Sequence, residues 1–88
     1  MKHRFLEITY RKGQPLAAYL YLPRQLGDTS RRTEEHETGL VIDYTEDGRP
    51  IGIEISAPGQ LTLAALNQAL AAANQKPASA DDIAPLLK

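Results

Sequence analysis

Cysteine and tryptophan are both absent from these 88 residues. Without thiols, neither a disulfide nor a thiolate metal site can staple a chain near the lower size limit for independent folding. No apolar run approaches the roughly 18 residues that a membrane span requires. The basic start Met1-Lys2-His3-Arg4 leads into Leu6-Glu7-Ile8-Thr9, too short and too polar for a signal-peptide core. The expectation is one cytoplasmic domain, 1–88, with no membrane partner. Catalytic signatures are missing too. Gly39, Gly48, Gly52 and Gly59 do not make a phosphate-binding loop, and no nucleophile-elbow pattern surrounds Ser30, Ser56 or Ser79. His3 and His36 have no metal-ligand spacing. No catalytic residue, cofactor-binding residue or metal ligand is therefore assigned, and no cofactor is expected.

Residues 40 to 55, LVIDYTEDGRPIGIEI, read as a β-hairpin. Asp47-Gly48 suits a two-residue type I′ loop, because both residues tolerate a positive φ. That loop sets Tyr44 against Ile51, Ile42 against Ile53 and Leu40 against Ile55. Val41, Asp43, Thr45, Pro50, Gly52 and Glu54 fall on the other face. A one-residue slip would scatter the apolar set over both faces.

Upstream, residues 4–10 alternate, with Leu6, Ile8 and Tyr10 on one side and Phe5, Glu7 and Thr9 on the other. Residues 16–22 repeat the pattern, with Leu16, Ala18, Leu20 and Leu22 on one face and Ala17, Tyr19 and Tyr21 on the reverse. A three-residue loop at 12–14 sets Ile8 against Ala18, Leu6 against Leu20 and Phe5 against Tyr21. Residues 31–37 have no apolar face and read either as a solvated loop or as a charged edge strand.

After Ser56-Ala57-Pro58-Gly59 the period changes. Thr62 is a suitable N-cap for a helix to about Gln75, and Leu61 with Leu66 is spaced for a hydrophobic staple. Leu63, Leu66, Ala69, Leu70 and Ala73 form one stripe, enough to cover one face of a sheet. Ser79 and Asp82 resemble a second capping box, and Pro85 allows little more than about one regular turn there. Ile83, Leu86 and Leu87 in the tail either dock on the chain's own core or engage a partner. The predicted fold is α+β: an antiparallel β-meander of four or five strands over 3–56, a helix over about 62–75 packed on one face, and a tail over 79–88.

At Val41-Ile42-Asp43-Tyr44, Asp47-Gly48-Arg49 and Gly52-Ile53-Glu54-Ile55 the chain resembles a family of small prokaryotic proteins known as domain of unknown function 2283. The likeness is close over 39–55 and extends loosely to Tyr10 and to Ala18-Tyr19-Leu20-Tyr21-Leu22. It departs at Ser56-Ala57-Pro58-Gly59, where the family runs into an aspartate-alanine-serine stretch, and beyond residue 60 the family pattern is no longer followed. The resemblance implies a compact sheet with a small helical part and carries no activity. Some such small proteins look like partners encoded beside toxin-like proteins.

Net charge is −1 but divided: residues 1–32 hold seven Lys/Arg against two Asp/Glu, and residues 33–88 hold three against nine. Pairing of the halves within the fold or across a dimer accounts for this better than nucleic-acid binding. Phe5, Tyr19, Tyr21 and Val41 share the face opposite the helix, where aromatics suit a protein interface and neighbouring carboxylates repel a polyanion. Phe5, Tyr19, Tyr21, Ile83, Leu86 and Leu87 are thus the candidate interaction surface. The expected function is a non-catalytic interaction module that binds itself as a homo-oligomer, or a second small protein in an antitoxin-like way. The alternative is a small-ligand or metal site, or an enzyme, built on Asp43 and Glu54, which lie diagonally across the hairpin.

Overall fold

The computed structural model describes residues 3–36 and 39–87; Met1, Lys2, Glu37, Thr38 and Lys88, which the expected start, charged segment, sheet and tail include, lie outside them. Five strands form one antiparallel sheet: β1 (Phe5–Arg11), β2 (Gln14–Tyr21), β3 (Arg32–Glu35), β4 (Leu40–Tyr44) and β5 (Pro50–Ile55), in the order β1-β2-β5-β4-β3. Helix α1 (Leu63–Ala72) follows, then a 3₁₀ segment, Ala80–Leu86. The α+β class stands. The strand order departs from a continuous meander, because the chain leaves β2 for the far edge and winds back inward. Two hairpins are thereby joined through β2 and β5.

Both hairpins keep the expected outer register and reach it by different turns. In the first, Lys12 (φ 54) and Gly13 (φ 76) make a two-residue loop with two positive φ values, as type I′ requires. Arg11 then faces Gln14, and a bulge beyond Thr9 restores Ile8 to Ala18, Leu6 to Leu20 and Phe5 to Tyr21. In the second, the amide of Gly48 donates to the Thr45 carbonyl (3.0 Å) and that of Thr45 to the Arg49 carbonyl (2.9 Å). Gly48 alone has a positive φ, +90. This is a three-residue loop closed by a glycine bulge, so Asp47-Gly48 do not form the expected type I′ pair. Tyr44 faces Pro50 instead of Ile51, and a second bulge returns Ile42 to Ile53 and Leu40 to Ile55.

Pairing of Leu20 with Ile53 and of Ala18 with Ile55 carries the apolar face across the join. Leu6, Leu20, Ile53 and Ile42 form one row over four strands. Ile42, Ile53, Leu22, Leu66, Leu70 and Ile83 are wholly buried. Each such side chain contributes about 1.5–3 kcal/mol, more than the ~1 kcal/mol of a helix cap, so the core outweighs the caps. Leu16 departs from its expected side-chain partners: beside the bulge it is 52% exposed. Residues 32–35 form the charged edge strand, with every side chain exposed.

Thr62 caps α1 as expected, its hydroxyl accepting from the Ala65 amide at 3.1 Å. The helix ends three residues before Gln75. Asn74 adopts φ 57, the Gln75 amide donates to the Leu70 carbonyl (2.8 Å) and the Asn74 amide to that of Ala71 (3.0 Å). That pair of bonds is a Schellman closure. Asn67 then fixes the tail: its side-chain carbonyl accepts from the Ala78 amide (2.7 Å) and its amide group donates to the Ala78 carbonyl (3.2 Å). The Ser79–Asp82 capping box forms. Beyond it, Ile83 (0% exposed) and Leu86 (6%) enter the chain's own core, with Leu87 packed at its margin.

Docking in cis makes Ile83 part of the folding unit. Ile83→Ala is expected to lower unfolding free energy by about 2–5 kcal/mol, measured by urea denaturation. An unchanged midpoint would mean that the tail docks elsewhere.

Candidate interaction face of the sheet

Strand alternation gives the sheet a second face, turned away from the core cluster. Its residues follow from the register. One row runs Glu7, Tyr19, Glu54, Val41, Glu35, and the next runs Phe5, Tyr21, Gly52, Asp43, Thr33. Phe5 is 56% exposed, and Tyr19, Tyr21 and Val41 are half-buried. The rings touch: Tyr19 meets Tyr21 edge-on at 4.7 Å between centroids, and Phe5 lies 5.9 Å from Tyr21. Such contacts hold aromatic side chains in place without burying them.

Tyr19 lies across Gly52, where any Cβ would collide with its ring. A glycine inside a strand often marks such a close approach, and this was the one sequence signal for the arrangement. From there the Tyr19 hydroxyl donates to the Asp43 carboxylate at 2.6 Å, and Tyr21 donates to Glu7 at 3.1 Å. Burial, then the bond to Asp43, pushes the Tyr19 hydroxyl up to about 12, with the Arg24 guanidinium opposing. Tyr21 is raised chiefly by its bond to Glu7. Arg24 reaches over from the loop after β2, 4.9 Å above the Tyr21 ring, while donating to the Ile51 carbonyl.

Within the chain, the expected pairing of the basic first part with the acidic remainder is met only locally. The ion pairs among the described residues are Arg32–Glu34, Arg49–Asp28 and Arg49–Asp47. Arg32–Glu34 links the two parts only locally, and Arg49–Asp28 joins an acid of the first part to a base of the second. Arg4 and Arg24 also donate to backbone carbonyls, of Lys76, Pro77 and Ile51. The Arg49–Asp28 pair is bidentate, ties the loop after β2 to the second hairpin turn, and holds the Asp28 carboxyl below its ordinary range. On the outer face Glu7, Glu35, Asp43 and Glu54 outnumber Arg11 and Arg24, and the face is net acidic.

Of the expected surface, Phe5, Tyr19 and Tyr21 come together. Ile83 and Leu86 leave it, because the core buries them, and Leu87 is packed away from the aromatic cluster. Asp43 and Glu54 share the face one row apart, each opposite a residue of the other's strand, Gly52 and Val41. Among the described residues no group of three or more His, Asp or Glu could hold a metal ion, and no helix is long and apolar enough to cross a membrane. Arg24 was not legible as part of the site, since loop residues carry no periodicity.

The class so defined is a small α+β domain with one sheet face buried and the other open, aromatic and acidic. Residues 17–57 match the family described as Protein of unknown function (DUF2283), a stretch that runs from within β2 to just past the central hairpin and covers somewhat under half of the chain. That supports the resemblance in the hairpin and its looser extension to Ala18-Tyr19-Leu20-Tyr21-Leu22, while Tyr10 lies outside the matched residues. No curated protein and no solved structure matches the chain.

Because the folded-state value of Tyr19 lies above the ordinary 10.0, the folded state holds this proton more tightly than the unfolded chain does. Its contribution to stability is complete below pH 10 and is lost as pH rises through about 12. In an ultraviolet titration one tyrosine is expected to ionise near 12, and Asp43→Asn to lower that step. A wild-type titration complete by about pH 11 would contradict the buried, hydrogen-bonded hydroxyl.

Proposed function

We propose that the chain is a non-catalytic protein-interaction module of the cytoplasm whose outer sheet face docks a second, basic protein. The observation that carries this reading is the contiguous cluster of Phe5, Tyr19 and Tyr21, ringed by carboxylates and left uncovered by the chain's own helix and tail. Aromatic side chains of this kind are enriched in interface cores. The carboxylates Glu7, Glu35, Asp43 and Glu54 favour a partner presenting Lys and Arg and disfavour nucleic acid. Neutralising a small basic protein, as an antitoxin does, is a role such a face can serve.

The second reading, a ligand or divalent cation held between Asp43 and Glu54, has less behind it. Asp43 already accepts a short bond from Tyr19, and the pair has no third ligand among the described residues. A divalent cation that raises the melting temperature of the wild type, but not of Asp43→Asn, would favour it over protein docking.

Co-purification from native lysate with an absolute mass of the eluate tests the docking reading. The expected result is a stoichiometric basic partner, with affinity reduced about 30-fold by Tyr21→Ala, the roughly 2 kcal/mol of a hot-spot aromatic. Leu26→Ala, on an exposed loop, serves as the silent control. Equal affinity for wild type and Tyr21→Ala would overturn the assignment of this face.

A further inference from the structure

Among the described residues the sheet has two free edges, and they are built differently. β3 is short, only four residues, and its side chains Arg32, Glu34 and Glu35 are charged and exposed. Charge and brevity are the usual protections against strand pairing. β1 has seven residues and carries inside its span only the charge of Glu7, with Arg11 at its end. Of the exposed large apolar side chains among the described residues, Phe5, Tyr10 and Leu16 lie on the β1–β2 hairpin, and Leu26 alone lies elsewhere. Leu6 and Ile8 are half-buried at the margin of the core, where the sheet runs out from beneath its cover.

We propose that the free edge of β1 pairs with β1 of a second copy of this chain, antiparallel about Ile8, joining two sheets into one of ten strands. Ile8 is the central residue of the strand, so a two-fold axis there pairs its whole length. Ile8 then meets Ile8 of the second copy, Leu6 meets Tyr10, Glu7 meets Thr9, and Phe5 meets Arg11. The apolar pairs continue the core face, and Phe5 stacks beneath a guanidinium. A slip by one residue would put Leu6 and Ile8 of the second copy on the face opposite to Leu6 and Ile8 of the first. Moving the axis to Glu7 would oppose two carboxylates. Arg4 does not burden the junction, because it is held by the carbonyls of Lys76 and Pro77 on its own chain. The proposal shares only Phe5 and Glu7 with the docking face, and Tyr19 and Tyr21, one strand inward on β2, keep their exposure in the joined sheet.

A chain without cysteine allows the edge to be read directly. Thr9→Cys and Thr33→Cys would each carry a nitroxide, on β1 and β3 respectively, in purified full-length protein. Light scattering is expected to give a dimer. Thr9 and its symmetry mate are diagonal neighbours with Cβ atoms about 7–8 Å apart, so the Thr9 label is expected to show dipolar broadening and the Thr33 label none. Tyr10→Lys, at a 54% exposed position, is expected to weaken the dimer at least tenfold with an unchanged circular dichroism spectrum. A monomer at all concentrations, a dimer broadened at Thr33, or a dimer indifferent to Tyr10→Lys would each overturn the proposal. Loss of partner binding by Tyr21→Ala with an intact dimer would leave the edge unaffected, so the two readings fail separately.

Discussion

Pairing of β2 with β5 is the contact on which the rest of the molecule depends. A two-stranded hairpin is marginal in water, and this chain makes two of them. Joining them edge to edge places Leu20 against Ile53 and Ala18 against Ile55, which turns two narrow apolar strips into one floor. On that floor α1 and the 3₁₀ tail bury Leu66, Leu70 and Ile83. The join is extended by the bulge in the second hairpin, whose Ile51 carbonyl accepts from the Leu22 amide and from Arg24. The same join creates the opposite face, since it sets Gly52 beside Tyr21 and so lets Tyr19 reach across to Asp43. Core and candidate site are two sides of one pairing.

Four strands, their registers away from the turns and the helix start were legible because period-two patterning and the Thr62 cap act locally. The turns were not. Each hairpin combines a loop and a bulge whose offsets cancel, so one net register is reachable by two routes, and outer apolar pairs cannot distinguish them. Lys12 carries no signal for its left-handed backbone, whereas Gly48 satisfies a glycine bulge as well as a type I′ loop. The helix end turned on Asn74, an acceptable left-handed residue that ordinary propensity counts as one more polar position. Strand order was also beyond local pattern, because the edge strand β3 contributes no apolar residue to declare its neighbour.

The candidate face was legible in outline. Alternation alone placed Phe5, Tyr19 and Tyr21 together and set Asp43 and Glu54 beside them. What alternation could not supply was the use made of each carboxylate. Asp43 and Glu7 anchor tyrosine hydroxyls, which orders the aromatic cluster and makes a shared acid–base or metal role for Asp43 the poorer fit. Nor could composition say how charge is distributed: Arg4 and Arg24 of the first part are turned to backbone carbonyls, and acidity accumulates on the open face. The tail residues went the other way. Ile83 and Leu86 look like a sticky end in one dimension and complete the core in three, because Asn67 steers the chain back over the sheet.

The central claim is that one face of this sheet is closed by the chain itself and the other is open. Solvent relaxation enhancement by a soluble paramagnetic agent, read by NMR on the isolated protein, tests it most directly. Strong enhancement at the Phe5 and Tyr21 ring protons, with the Leu20, Ile42, Ile53 and Ile83 methyls protected, is the expected result. Protection of the Phe5 and Tyr21 rings to the level of those methyls would contradict the account, because the face assigned to a partner would then already be covered.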